Sequence, residues 1–172
     1  NYLKHGAKLS HTLLKELDEQ LTAFSKRTNK SFSSEDNLLL VSVRSGAKIS
    51  MPGMMDTILN LGLNDENVEK LANKTNDMRF AYDCYRRLLQ MFGEVVYDIP
   101  MASFDTYFEQ YKVQNGYQNY ADIPADGLKE ICEYFKDVYL DVAYKPFPQS
   151  PFEQLTEAIE AVFKSWDNNR AR

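Results

Sequence analysis

The stretch Leu38–Leu61 reads LLLVSVRSGAKISMPGMMDTILNL, and its reading decides how the fold is built. It opens with Leu38, Leu39, Leu40, Val41 and Val43, interrupted only by Ser42, and breaks off at Arg44-Ser45-Gly46. An apolar run of strand length without alternation predicts a strand covered on both faces, as in a parallel sheet. A basic segment with glycines follows: Arg44, Gly46, Lys48, then Pro52-Gly53. After Asp56-Thr57 the chain turns apolar again, and Thr57 to Leu61 reads as a second strand. A buried strand that empties into a basic, glycine-containing loop is a common way to hold phosphate. The strand fixes the loop, glycines let backbone N–H groups approach an anion, and Arg supplies a planar fork of donors.

Working outward, 172 residues are enough for one domain, or for two small subdomains sharing a core. With 44% apolar and 26% charged residues the chain reads as globular rather than disordered. A formal net charge of -5, with no local cluster of Lys and Arg, gives no basic footprint for nucleic acid. An ATP site needs only two or three well-placed cations and is not excluded. Cys84 and Cys132 each sit in an apolar helical pattern and read as reduced core thiols, a disulfide or metal pair being unsupported. His5 and His11 have no Cys, Asp or Glu partner at metal-ligand spacing and read as surface residues. No apolar run approaches the ~20 residues that span a bilayer. The chain opens at Asn1 without a start methionine, which reads as an excised piece.

Helical periodicity dominates the rest. Ser10 caps a helix carrying Leu13, Leu14, Leu17, Leu21 and Phe24. Asn64 or Asp65 caps a short helix ending near Thr75. The strongest signal runs from Asp77 to about Asp98, with a stripe of Phe80, Cys84, Leu88, Met91, Phe92, Val95 and Val96. Its opposite face carries Arg79, Asp83, Arg86, Arg87 and Glu94 and reads as solvated. Arg86 and Arg87 are adjacent, about 100° apart on a helix, and so are not expected to face one partner. Ser103 to Gln114 is an aromatic-rich helix that Asn115-Gly116 ends. Asp126 opens a helix to about Ala143, with Leu128, Ile131, Cys132, Phe135, Val138, Tyr139 and Val142 on one face. Pro146, Pro148 and Pro151 form a rigid connector. Ser150-Pro151 with Glu153 reads as a capping box opening the last helix, which carries Leu155, Ile159, Val162, Phe163 and Trp166 and ends at Asp167-Asn168-Asn169. The sum is a helix-dominated α+β chain. Its one or two strands are too few to bury a parallel strand from both sides, so the remainder of a sheet is expected outside this sequence.

The run LLLVSVRSGAKISMPGMMDTILNLGLND resembles the N-terminal nucleotide-binding domain of the pyruvate, phosphate dikinase family. Further blocks resemble it in the same order: Asn76-Asp77-Met78-Arg79-Phe80-Ala81-Tyr82-Asp83-Cys84-Tyr85-Arg86-Arg87, then Phe147-Pro148-Gln149, then Ala161-Val162-Phe163-Lys164-Ser165-Trp166-Asp167-Asn168. The resemblance spans essentially the whole chain and is weakest from Ile99 to Tyr144. Related phosphoenolpyruvate synthases carry a Phe-Ala-Gly-Gln-type sequence in place of Met-Pro-Gly-Met and are the second choice.

The resemblance implies part of an ATP-grasp domain in an enzyme that interconverts ATP, phosphate and pyruvate with AMP, pyrophosphate and phosphoenolpyruvate. ATP there phosphorylates a histidine on a separate swivelling domain. It implies that Arg44 contacts the ATP phosphates and that the loop from Lys48 through Met54, Met55 and Asp56 to Thr57 covers them, with Gly53 giving backbone access. The family usually has Arg where Lys48 stands, so a bidentate role there is weakened. It further implies Mg2+ ligands beyond Arg172, no catalytic residue within the chain, a homodimeric full-length enzyme, and a cytoplasmic location with plastid or glycosome also known. The expected sheet is small and mixed, with Leu38 to Val43 central, packed by the first and last helices. Residues 1–63 and 146–172 would form a discontinuous α/β subdomain holding the phosphate loop, with 64–145 as an inserted helical lobe. A part-role for Arg86 and Arg87, docking the swivelling domain, is a further expectation. Periodicity alone would describe a non-catalytic helical interaction module.

Overall fold

A computed structural model describes residues 8–44 and 57–165. Those residues form a helix-dominated α+β fold. In chain order it comprises α1 (His11–Thr28), β1 (Val41–Arg44), β2 (Thr57–Leu61), α2 (Asn67–Thr75), α3 (Met78–Tyr97), α4 (Met101–Asn115), α5 (Ala125–Val138) and α6 (Pro151–Ser165).

The apolar run splits into two parts with different surroundings. Leu38 and Leu39 are buried, but they precede the strand in an irregular segment tied back to Ser31. The strand itself is Val41–Arg44, with Ser42 and Arg44 exposed. It pairs antiparallel with β2 as a hairpin. The expectation of a parallel strand buried on both faces is therefore wrong. Alternation was present at Ser42 and Arg44, but four leading aliphatic residues masked it.

Register explains how the hairpin hides its apolar side. Val41 stands opposite Leu61, Val43 opposite Ile58 and Arg44 opposite Thr57. One residue on β1, Ser42, thus faces two on β2, which is a bulge at Leu59-Asn60. Asn60 adopts φ 62°, and its Nδ2 donates to the Cys84 carbonyl at 3.3 Å. The extra residue lets Ile58 and Leu61 both point inward at 0% exposure while Leu59 turns out to solvent.

α3 is the spine. It packs against α2, α5 and β2, with α6 and α4 also touching it. Asp77 caps it, its Oδ1 accepting the Phe80 N–H at 2.9 Å. The buried face is Ala81, Tyr82, Tyr85, Leu88, Leu89 and Phe92, whereas Phe80 is 48% exposed. The predicted stripe was rotated because tyrosines were not counted as apolar. Their rings are buried and their hydroxyls find partners: Tyr85 donates to Asp65 at 2.7 Å, and Tyr82 donates to Glu69. Phe147, from the proline-rich connector, packs edge-on against Tyr85, Phe92 and Tyr139.

The polar side of α3 is not a solvated face either. Arg79 donates to the carbonyls of Ile123 and Tyr120 at 2.9 and 3.0 Å. Arg86 and Arg87 share one partner after all: Asp83 takes Arg86 on Oδ1 at 3.1 Å and Arg87 on Oδ2 at 2.9 Å. Spacings of three and four residues both reach the same point one turn back, and long stems close the angle between neighbours.

At its C-terminus α5 widens into a π turn over Tyr139–Ala143, which shifts the helical phase and leaves Val142 42% exposed instead of on the buried face. Ser150 Oγ accepts the Glu153 N–H at 3.4 Å at the start of α6, as the capping pattern predicts. α6 packs on α3 and on both strands. α1 has no buried residue, and only Leu17 and Leu21 lean on the core, so the first helix does not cover the sheet as expected. Trp166 lies outside the described residues.

Candidate functional site

The hairpin positions the first candidate. Arg44 closes β1 and Thr57 opens β2, and the ladder sets them opposite each other. Arg44 is exposed. Arg44 is therefore paired across the ladder with a hydroxyl-bearing residue at the ends of the two strands. Lys48, Gly53, Met54, Met55 and Asp56 lie outside the described residues. Of the predicted set, the described structure brings Arg44 and Thr57 together.

The other end of the hairpin is held by buried amides, which sequence reasoning missed. Gly62, immediately after β2, has φ 112°. A Cβ there would stand 2.9 Å from the Leu39 carbonyl oxygen, so only glycine fits. Its N–H donates to Gln154 Oε1 at 2.9 Å, and its carbonyl accepts from Asn67 Nδ2 at 2.7 Å. Gln154, 0% exposed, also donates from Nε2 to the carbonyls of Leu63 at 2.9 Å and Pro148 at 2.8 Å. Asn67 Nδ2 also donates to the Phe32 carbonyl at 2.8 Å, in the turn that leads into β1. A signal was available: Gln154, Ala158 and Val162 fall on one row of α6, and a polar residue in a buried row must have partners.

A second polar junction sits beside it. Asp65 Oδ1 accepts from Tyr85 and, at 2.8 Å, from Lys136, and the Asp65 N–H donates to Gln149 Oε1 at 2.9 Å. Burial pushes the Tyr85 phenol well above its ordinary range, so it stays a donor. Cys132 is 0% exposed and its thiol is pushed up by burial. Cys84 is half-buried, and burial raises it too. Both are free thiols, not activated nucleophiles. Among the described residues no group of three or more His, Cys, Asp or Glu could hold a metal ion. No helix among them is long and apolar enough to cross a membrane.

The sequence profile of the family described as "Pyruvate phosphate dikinase, AMP/ATP-binding domain" matches residues 5–172. The chain belongs to this family. It is 46% identical over 171 residues to pyruvate, phosphate dikinase of Clostridium symbiosum, covering 99% of this chain and 20% of that protein. It is 49% identical over 160 residues to the Giardia intestinalis dikinase, covering 93% and 18%. To the chloroplastic dikinase 1 of Arabidopsis thaliana it is 50% identical over 166 residues, covering 96% and 17%. The chain thus spans about a fifth of the length of the curated relatives it matches. Within the dikinase family frame, Val41–Arg44 and Thr57–Leu61 of the Leu38–Leu61 stretch are the paired strands, the Asn76–Arg87 block is the start of α3, and Phe147-Pro148-Gln149 is the connector that Gln154 and Asp65 grip.

Proposed function

We propose that this chain supplies one wall of an ATP site in a phosphotransferase of the pyruvate, phosphate dikinase type. The reaction would convert ATP, phosphate and pyruvate to AMP, pyrophosphate and phosphoenolpyruvate through a phosphohistidine on a swivelling domain of the same longer polypeptide. The observation that carries the reading is the pairing of Arg44 with Thr57 at the end of a hairpin whose other end is locked by buried amides. Family membership supports the nucleotide.

Arg44 would clamp phosphate oxygens with its planar fork, and Thr57 would add a hydroxyl. Lys48 and the backbone at Gly53, with Met54, Met55 and Asp56, would close over the phosphates. Phosphoryl transfer needs positioning and fixed positive charge more than covalent help, and a strand end supplies both. Mg2+ would be held by ligands elsewhere in the longer polypeptide. Residues 1–63 with 146–172 would serve as the phosphate-holding part and 64–145 as the inserted helical part, one hydrophobic core running through both. The longer enzyme is proposed to be a homodimer in the cytoplasm or, like the Arabidopsis relative whose name says chloroplastic, in a plastid.

The test is phosphoenzyme formation from γ- and β-labelled ATP in the full-length polypeptide. Arg44→Ala is expected to slow it by roughly 10²–10³-fold, the range for losing one preorganised charge-stabilising donor. A folded variant with undiminished labelling would overturn the reading.

A further inference from the structure

We infer that Gln154 is a positioning residue for the hairpin, setting where Arg44 is presented. The inference rests on the proposed phosphate role of Arg44 and adds a residue on a different element, far from the phosphate in sequence.

The argument begins with hydrogen-bond capacity. A glutamine side chain offers one carbonyl oxygen and two amide hydrogens. Gln154 commits the oxygen to Gly62 N–H and the amide nitrogen to the carbonyls of Leu63 and Pro148, at 2.8–2.9 Å. The residue is 0% exposed, so water cannot replace any of these partners. The three backbone groups belong to the exit of β2 and to the connector that precedes α6. One side chain therefore fixes the helix, the connector and the strand exit relative to one another.

Asn67 completes the clamp from the opposite side. Its Nδ2 bridges the Gly62 and Phe32 carbonyls, so the exit of β2 is joined to the turn that feeds β1. Both strands are thus pinned at one end. The ladder then runs from Val41–Leu61 at the pinned end to Arg44–Thr57 at the other. A short two-stranded ribbon transmits any tilt at its base to its tip. The hydrogen bonds of Gln154 go to Gly62, Leu63 and Pro148 and not to Arg44 or Thr57, so its effect passes through the placement of the hairpin.

The physical consequence concerns Arg more than Lys. A planar guanidinium fork matches phosphate oxygens in one orientation, whereas an ammonium on a flexible stem acts as a point charge and tolerates displacement. A clamp that sets orientation should therefore matter most when Arg stands at the tip. A residue that only stabilises the fold should matter equally whichever cation is there.

The experiment is a double-mutant cycle in the full-length polypeptide, reading single-turnover phosphoenzyme formation from labelled ATP. Gln154→Leu is expected to lower the rate about 30-fold with Arg44 present, in line with a small misplacement of a positioning group. In an Arg44→Lys background the same substitution is expected to lower it less than about 5-fold, the difference being the coupling that the cycle isolates. Circular dichroism and resistance to limited proteolysis report whether each variant is folded. Should Gln154→Leu not fold, Asn67→Ala takes its place in the cycle, because it leaves the Gly62 N–H bonded to Gln154; the same non-additivity is expected at about 10-fold against about 3-fold. Equal losses in both backgrounds, from whichever variant folds, would overturn the positioning role while leaving the phosphate role of Arg44 standing. If Arg44→Lys and Arg44→Ala both left the rate unchanged, the proposed function itself would fail, and the clamp would be reduced to a device of stability.

Discussion

Asp83 and Arg86, one turn apart on α3, form an ion pair in which each side chain is only 13% exposed. Both Nε and Nη2 of Arg86 donate to Asp83 Oδ1, at 3.2 and 3.1 Å. Tyr120 donates to the same oxygen, and the guanidinium lies 5.4 Å from the ring centres of Phe108 and Tyr120. Removing Asp83 strands the Arg86 charge away from water, at about 3–5 kcal/mol, whereas removing Arg86 leaves Asp83 with Tyr120 and Arg87. Arg87 pairs with the other oxygen, but its side chain is 57% exposed, and exposed pairs contribute about 0–1 kcal/mol. Urea unfolding should therefore show Asp83→Ala less stable by about 3 kcal/mol and Arg87→Ala by under about 1 kcal/mol. Equal losses for the two would contradict this division of the pair.

Glycine at 62 and glycine at 116 make a matched comparison. Both have positive φ, 112° and 70°. A Cβ at Gly62 meets the Leu39 carbonyl and the Phe32 ring at 2.9 Å, while nothing lies within 4 Å of one at Gly116. Gly116→Ala should cost only the left-handed strain, about 1–2 kcal/mol. Gly62→Ala adds a backbone clash in a region only glycine adopts and should cost about 3 kcal/mol or more. Thermal melts of the two variants decide the order, and a Gly62→Ala protein melting with or above Gly116→Ala would refute it.

The helices were legible because their signals are local. Ser10 and Ser150 cap where the pattern places caps, Asp126 instead falls inside the first turn of α5 and does not cap it, and Gly116 ends α4 in the left-handed conformation. The face that α3 buries was not legible, because Tyr82 and Tyr85 count as apolar only if Glu69 and Asp65 lie nearby to take their hydroxyls. That information is tertiary. The sharing of Asp83 by two arginines depends on the reach of their side chains, which the angle between adjacent helical positions does not reveal. Arg44 was readable as a strand-end cation, but its pairing with Thr57 was not, because the run reads as a parallel strand and the register depends on the bulge in β2. The row of α6 marks Gln154 as a buried polar residue, but what it and Asn67 grip is not legible, because their partners are backbone groups.

Buried phenols give the fold an alkaline limit. Burial raises Tyr82, Tyr85, Tyr97 and Tyr139 above their ordinary range, and pushes Tyr111 up to about 12. The folded state thus keeps protons that the unfolded chain releases near pH ~10. By linkage, a raised folded value gives stability that is complete below the unfolded value and falls as pH rises past it. Unfolding free energy should decline steadily above pH ~10. Phenolate absorbance should show these tyrosines ionising together with loss of helical circular dichroism. Early ionisation of every tyrosine in a still-helical protein would contradict the burial.

The bulge at Asn60 links stability to the tip of the hairpin. Its φ of 62° suits Asn or Gly, and a β-branched residue there pays for the left-handed conformation while losing the bond to the Cys84 carbonyl. Asn60→Gly keeps the backbone and loses only a half-exposed hydrogen bond, about 1 kcal/mol. Asn60→Val should cost about 2–3 kcal/mol, or should remove the bulge and slide β2 by one residue. A slide would break the opposition of Arg44 and Thr57, because every partner on β2 changes face. Asn60→Val is therefore expected to lose phosphoenzyme formation out of proportion to its lost stability, while Asn60→Gly loses neither by much. Measured side by side at a temperature where both are folded, similar activities would show that the register of this hairpin does not govern what its tip presents.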